Sequence, residues 1–482
     1  MRGRATAAAG TFALGGIAGQ IIAFLGNLVV ARFLSPHDFG LIAFGSTVIG
    51  SVQVVADGGL GLALIRQPGA IERSQLEAVM GFQVAAGAAL AAIVGVAVVW
   101  FGTAGIVTAV MVSAVPIIAW RSAGSVRVER EIRYRPIVIV ALVEVIGYYV
   151  WSIAGVAVGW GVWALATGAI FRALAGTVCQ QWLLRDYKVR PRLRWAPIKP
   201  LMSFGANYLA LATASVAGDQ GLNFGISATG GFSMLGLWSF ASRLLQPINL
   251  LYSTLWRVTY PTMSRLMELR EDPMPVVSRI ASSIAILTSI VFVPLVICSH
   301  ALVTIVFGAR WADVSEIFPG VCLGLLVGGP VSTALTGYLW AIGEVRTTRN
   351  ALIAQFGVSV AVTLPLVWII GPWGLGVGAA VASLADAAVL LWAARGSARV
   401  VLSRLAVPGL SALVASLPLW LVGLLLHLSA PYELAAAAAG ALLYVGLVAT
   451  FDREALTGTF RTARRAALTA LRPDASPSPL GA

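Results

Sequence analysis

Two arginines interrupt long apolar stretches of this 482-residue chain, where a charged side chain is unexpected. Arg172 lies near the middle of one stretch and Arg243 near the middle of another. An ionised group at the centre of a bilayer costs about 2.5–3.5 kcal/mol on insertion scales, so it normally faces a cavity or a partner. The planar guanidinium stays charged when it is desolvated, and it binds phosphate oxygens in pairs. The two residues therefore predict a cationic cavity that could neutralise an anion such as a phosphate group.

Each arginine also has a structural explanation. Arg172 could pair with Glu144 on the preceding apolar stretch, and Arg243 could pair with Asp219. A ligand can still open a pair that lies inside a cavity, so the two explanations can coexist. Arg32 ends the first apolar stretch. It is either a ligand contact at the rim of the cavity or an interfacial side chain that reaches toward the headgroups.

Four acidic residues fall within apolar stretches or at their ends: Asp57, Glu144, Asp219 and Asp386. A carboxyl at membrane depth can take up a proton, bind sodium or pair with an arginine, so each is a candidate for ion coupling or ion pairing. Asp57 precedes two glycines and could instead mark a bend near the inner face, and Asp386 could lie close to the headgroups. The sequence has no metal-ligand spacing, and we expect no cofactor beyond a coupled proton or sodium ion.

Five amide side chains are candidates for contacts with sugar hydroxyls, because an amide both donates and accepts hydrogen bonds. They are Asn27, Asn207, Gln220, Asn223 and Asn249. Hydrogen bonds between neighbouring membrane helices explain them equally well.

The composition is that of an integral membrane protein. Hydrophobic residues make up 59% of the chain and charged residues 11%, whereas a soluble domain carries about 25% charged residues. A net charge of +13 could suggest nucleic acid. The basic residues lie in short loops beside apolar segments, however, so membrane topology and anionic lipids explain them better. We expect membrane lipids as partners and no nucleic acid.

The elements that must position these residues are transmembrane helices. Apolar segments of about 20 residues recur along the chain, and we expect about 14 spans and an all-α fold. All 33 Lys and Arg residues except Arg32, Arg172, Arg243 and Arg310 lie in loops that follow even-numbered spans or at the chain ends. Basic loops mark the inside, so both termini of this multi-pass protein of the cytoplasmic membrane are expected in the cytoplasm.

A basic linker divides the spans into two sets. We expect an N-lobe at residues 1–184 (spans 1–6), a cytoplasmic linker at 185–200 and a C-lobe at 201–395 (spans 7–12). Two more spans at 396–452 and a basic, partly disordered tail at 453–482 follow.

A faint repeat crosses the linker. Four residues align at one offset with four others: Asn27, Gly40, Leu41 and Phe44 with Asn223, Gly236, Leu237 and Phe240. A tandem repeat of six spans has parallel orientation, so the lobes would be related by a pseudo-twofold axis along the membrane normal.

Short motifs occur in a fixed order along the chain. They are Ala31-Arg-Phe-Leu-Ser-Pro-His-Asp-Phe-Gly-Leu41, Asp57-Gly-Gly-Leu-Gly61, Gly161-Val-Trp-Ala-Leu165, Leu235-Gly-Leu-Trp-Ser-Phe-Ala-Ser-Arg-Leu244, Tyr260-Pro261 and Ser264-Arg265. In this order they resemble bacterial polysaccharide transporters, a family of lipid-linked oligosaccharide flippases in the multidrug/oligosaccharidyl-lipid/polysaccharide (MOP) superfamily.

The resemblance implies two six-helix lobes around a central cavity, plus two extra helices. It also implies transport, by alternating access, of a polyprenyl-pyrophosphate-linked oligosaccharide, a surface polysaccharide precursor, from the inner to the outer leaflet. Glycosyltransferases or a polymerase of the same pathway would be partners. The protein would then be a transporter and not an enzyme.

Other functions stay open. A peptidoglycan-precursor flippase has the same expected architecture. A cation-coupled drug antiporter of the superfamily is disfavoured by arginines in the membrane. A membrane-embedded glycosyltransferase would need catalytic acids in a sizeable loop, and no Asp-x-Asp motif is present. A scaffold for a biosynthetic complex would not need the intramembrane charges.

Overall fold

The computed structural model describes the chain except residues 1, 68, 132, 186–188, 247, 249–251, 253–262, 264, 270–271, 396–397, 427 and 462–482. It also leaves out the side chains of 2–14, 123, 207, 210–211, 214–215 and 219. The described residues form helices and connecting loops, which confirms the predicted all-α class. By their contacts they divide into two compact units, Met1–Ser239 and Phe240–Ala482.

The described residues of the first unit include nine α-helices. They are α1 (Arg2–Phe33), α2 (Pro36–Asp57), α3 (Leu60–Arg66), α4 (Arg73–Val98), α5 (Gly102–Val112), α6 (Val115–Arg130), α7 (Tyr134–Ala157), α8 (Val162–Leu183) and most of α9 (Met202–Leu244). Helix α7 packs against α1 and α8, and α6 packs against α4 and α8. A core that includes Leu64, Val79, Met80 and Ile198 joins α3 and α4 to the end of the basic linker.

The described residues of the second unit include seven further α-helices. They are α10 (Met274–Ile297), α11 (Ser299–Phe307), α12 (Val314–Ala341), α13 (Val345–Ile370), α14 (Pro372–Ala393), α15 (Ala398–Leu426) and α16 (Ala430–Phe451). Helix α10 packs against α12, α15 and α16, and α14 packs against α12 and α13. A short helical segment continues at 453–461, and the rest of the predicted tail lies outside the described residues.

Eleven described segments are long and apolar enough to cross a membrane, so the protein is a multi-pass membrane protein. One of them, Arg73–Ser122, is 50 residues long and holds two of the predicted spans. Helix α9 contains the seventh predicted span and the start of the eighth, with a kink at Gly231 (φ 76°, ψ 179°) between them. The exact number of 14 spans, the lobe boundaries and the orientation stay predictions.

The predicted linker is tied to α4. The Arg192 backbone N–H donates to the Glu77 carbonyl oxygen (2.9 Å), and Arg192 Nη1 lies 3.4 Å from Glu77 Oε2. Arg73 Nε contacts the other oxygen of the same carboxylate at 3.1 Å. A buried acid thus holds basic residues from the linker and from the start of α4 together.

The first family motif contains a helix cap. Ser35 is the N-cap of α2: its hydroxyl accepts from the Asp38 N–H (3.2 Å), and the Asp38 carboxylate accepts from the Ser35 N–H (3.0 Å). Pro36 occupies the first helical position, where a missing N–H costs nothing. The Ser-Pro-x-Asp pattern is therefore a capping box that starts α2.

We expect Ser35→Ala to lower the free energy of unfolding by about 1 kcal/mol, because the cap hydrogen bonds are lost. The measurement is thermal unfolding of the detergent-solubilised protein. Ser403→Ala is the control, since that exposed hydroxyl only bonds back to Val400 O on its own helix. Equal melting temperatures for both variants would contradict the assignment of the cap.

Two glycines of the faint repeat contact each other. A Cβ on Gly236 would meet the Pro36 carbonyl oxygen and, at 2.9 Å, the Gly40 nitrogen, while a Cβ on Gly40 would meet the Phe232 carbonyl oxygen. Helices α2 and α9 therefore cross at backbone contact, as small residues allow in membrane proteins. The Phe44 ring packs edge-on against Phe232 beside this crossing.

Candidate functional site

An arginine–glutamate cluster lies inside the first unit. Glu144, in the middle of α7, is buried with 5% exposure. Arg121 of α6 donates from Nη1 to Glu144 Oε1, and Arg172 of α8 has its Nη2 3.8 Å from Glu144 Oε2. We call Arg121, Glu144 and Arg172 the charge cluster. It joins three helices through one carboxylate.

Small and polar residues of α8 let the charge cluster form. A Cβ on Gly176 would meet Glu144 and the Arg121 guanidinium, so only glycine leaves room for the pair. Gln180 Nε2 donates to the Arg121 carbonyl oxygen (2.7 Å), and Thr177 Oγ1 donates to the Ile117 carbonyl oxygen (3.1 Å). These bonds fix α6 against α8.

The two arginines of the cluster differ in accessibility. The side chain of Arg121 is 19% exposed, whereas that of Arg172 is 52% exposed. A buried carboxylate needs a close cation to offset its desolvation, and Arg121 provides it. Arg172 occupies the middle of the 22-residue α8. Because a cation at that depth is costly in lipid, its accessible half is expected to face water or an anionic ligand.

Arg121 is not among the site residues predicted from the sequence. In the sequence, Arg121 opens the basic loop predicted after the fourth span, ahead of Arg127, Arg130, Arg133 and Arg135. In the structure it lies within α6, as the seventh residue of the helix that begins at Val115. The available signal was its distance from the rest of that basic group and the need of Glu144 for a cation.

The predicted amides Gln220 and Asn223 lie on α9 facing α2. Asn223 Nδ2 donates to Thr47 Oγ1 (3.2 Å), which fits the helix–helix explanation. The Gln220 side-chain oxygen is buried without a hydrogen-bond partner among the described residues, and a Cβ on Gly50 would lie 3.4 Å from its amide nitrogen. Asn27 is half-buried on α1.

Three other predicted residues lie on α1, α2 and α14. Asp57 ends α2, where its carboxylate accepts from Gln83 Nε2 (2.7 Å) just before the turn at Gly58. Asp386 is buried in α14 with Ser332 as a hydrogen-bond partner. Arg32 is exposed in the last turn of α1.

Arg243 is half-buried in the last turn of α9, which belongs to the second unit. The side chains of Asn207 and Asp219, and all of Asn249, lie outside the described residues. The suggested Arg243–Asp219 pair therefore stays a prediction. Among described residues, the predicted site residues that the structure brings together as an ion pair are Arg172 and Glu144.

A family model described as polysaccharide biosynthesis protein matches residues 29–316. The chain belongs to this family. The match covers the charge cluster, the α2–α9 crossing and the family motifs noted in the sequence. No individually curated protein matches the chain in sequence.

The fold of this family member is similar to solved MOP transporters. A lipid II flippase MurJ in an inward closed conformation matches with a TM-score of 0.70 and 14% identity, over 92% of this chain and 99% of that chain. An inward-facing multidrug resistance MATE family transporter matches with a TM-score of 0.57 and 14% identity, over 79% and 95%.

A MOP superfamily transporter from Pyrococcus furiosus, whose binding pocket is described as having reverse polarity, also matches. Its TM-score is 0.54 and its identity is 14%, over 82% of this chain and 96% of that chain. These similarities confirm the predicted fold, which is that of solved MOP transporters.

Proposed function

We propose that this polysaccharide biosynthesis protein is a flippase for a polyprenyl-pyrophosphate-linked oligosaccharide, moving it from the inner to the outer leaflet of a bacterial cytoplasmic membrane. The family and the fold support a role in moving lipid-linked intermediates. The observation that carries the substrate class is the charge cluster. Its net charge is positive, and half of the Arg172 side chain is accessible for an anionic headgroup.

Arginine suits a pyrophosphate, because its fork binds two phosphate oxygens and keeps its charge in a site with little water. Arg243 is the corresponding candidate in the second unit, and Arg32 is a candidate at the end of α1. A proton or sodium ion is the proposed coupling ion. Asp57 and Asp386 are better candidates for it than Glu144, which already has two cationic neighbours. A pH or sodium gradient across liposomes distinguishes the two ions.

The double variant Arg172→Ala, Arg243→Ala tests the proposal. Purified protein is reconstituted in liposomes, and appearance of a polyprenyl-pyrophosphate sugar in the outer leaflet is followed with a membrane-impermeant glycosidase. We expect the rate to fall by about tenfold or more, since one charged hydrogen bond is worth about 1.5–3 kcal/mol.

The matched control is Arg349→Ala, Arg395→Ala, which removes two exposed cations, one near the start of α13 and one just after α14. Equal flipping rates for the two double variants, with equal amounts of folded protein, would contradict the proposed cationic site.

A second candidate is a flippase for a peptidoglycan precursor, favoured by the similarity to the lipid II flippase structure. The same liposomes loaded with lipid II separate the two substrates. A drug antiporter is disfavoured, because an organic cation would be repelled by the accessible half of Arg172. A scaffold would leave both double variants indistinguishable from the wild type in a cellular polysaccharide assay.

A further inference from the structure

A cavity lined by both polar and apolar residues lies within the second unit. It has a volume of about 270 Å³ and is formed where α10 and α15 end and where α11, α12, α14 and α16 begin. A single water molecule needs only about 10–15 Å³ on this scale. The cavity therefore has room for a small organic molecule.

Two carboxylates line the cavity. Glu433, in the first turn of α16, is 7% exposed; its Oε2 accepts from the Ala301 N–H at 2.8 Å, and its Oε1 lies 3.6 Å from His300 Nδ1. Glu316 lies in the first turn of α12 and also lines the cavity. The positive ends of both helix dipoles favour the ionised carboxylates. The described lining residues contain no lysine or arginine.

Two tryptophans complete the lining. The Trp373 and Trp420 rings lie 5.9 Å apart between centroids at an interplanar angle of 61°. They come from the start of α14 and from the last part of α15, and both line the cavity. Two rings at this angle present a corner of aromatic faces, which carry the negative potential that attracts cations.

Two acids and an aromatic corner converge on one cavity from four helices. Helix dipoles account for acids at helix starts, and an interfacial belt accounts for tryptophans. Neither requires that they share one cavity whose described lining residues include no lysine or arginine. We propose that this cavity is a binding site for a small organic cation, such as a quaternary or protonated amine. Its carboxylates balance the charge of the ligand, and the tryptophan faces contact its methyl or methylene groups. The site does not depend on the proposed flippase function.

Choline is the probe, and its uncharged isostere 3,3-dimethylbutan-1-ol is the matched ligand control. Binding to the full-length protein in detergent is measured by titration calorimetry and by tryptophan fluorescence. We expect saturable binding of choline and at least tenfold weaker binding of the isostere. Glu316→Gln should weaken choline binding by about tenfold, because one of two charges is lost without changing the size of the side chain.

Glu454→Gln is the control variant, since Glu454 is exposed on the helical segment after α16 and lies outside the cavity. It should bind choline as the wild type does. If Glu316→Gln does not yield monodisperse protein, Trp373→Leu tests the same site by removing an aromatic face. Equal binding of choline and its isostere, no saturable choline binding, or binding of glucose in place of choline would each overturn the proposal.

Discussion

Arg121→Met is expected to lower the free energy of unfolding by about 3–5 kcal/mol, because it leaves the buried carboxylate of Glu144 without its closest cation. Arg172→Met should change stability by less than about 1 kcal/mol. The Arg172 side chain is half accessible and its nitrogen is 3.8 Å from the carboxylate, as in ion pairs of small net value. The measurement is the melting temperature in detergent, alongside the flipping rate in liposomes.

Substitutions of the two arginines of the charge cluster should thus affect different measurements: the melting temperature for Arg121 and the flipping rate for Arg172. Arg121→Met should lower the yield of folded protein, whereas Arg172→Met should give folded protein with a slower flipping rate. The control for α6 is Arg127→Met, which removes a half-exposed cation from the same helix. A further check is Arg121→Met, Glu144→Leu. Replacing both members of a buried pair by apolar residues is often neutral, so this double variant should recover most of the lost stability.

Two outcomes would contradict this division of roles. If Arg121→Met and Arg127→Met unfold at the same temperature, Arg121 does not compensate the buried acid. If Arg172→Met melts as low as Arg121→Met, Arg172 is a structural partner of Glu144 and the transport defect has no independent meaning.

The second large effect is expected at the crossing of α2 and α9. Gly236→Ala places a methyl group against the Pro36 carbonyl oxygen and the Gly40 nitrogen. Overpacking typically costs about 1–3 kcal/mol and occasionally more, and backbone atoms cannot rotate away as a side chain can. We therefore expect a loss of about 3 kcal/mol or more, seen as a lower melting temperature or a lower yield of monodisperse protein.

Gly221→Ala is the matched control, because it adds the same methyl group to the same helix where nothing lies within 4 Å. Alanine favours a helix over glycine by about 0.5–1 kcal/mol, so this variant should be slightly more stable than the wild type. Equal melting temperatures for Gly236→Ala and Gly221→Ala would show that α2 and α9 do not cross at backbone contact.

Much of the architecture followed from local patterns in the sequence. Apolar length and basic loops predicted a helical membrane protein, and ordered motifs such as Ala31–Leu41 predicted its family. The sequence also predicted the pair of Arg172 with Glu144, as one of two explanations for Arg172. Both residues lie near the middle of consecutive spans, and consecutive antiparallel helices that pack together bring such positions to the same depth.

Other parts of the site depended on contacts that no local pattern encodes. Arg121 appears in sequence to open a basic loop, but the packing of α6 against α8 turns its side chain to Glu144. Gly40 and Gly236 are far apart in the chain but lie in backbone contact. Glu316 and Glu433 are also far apart in the chain but line the same cavity. Hydropathy and charge determined which segments enter the membrane, since those depend on each segment alone. Only the tertiary structure decided which faces of the segments touch, because that depends on side-chain volumes from several helices at once.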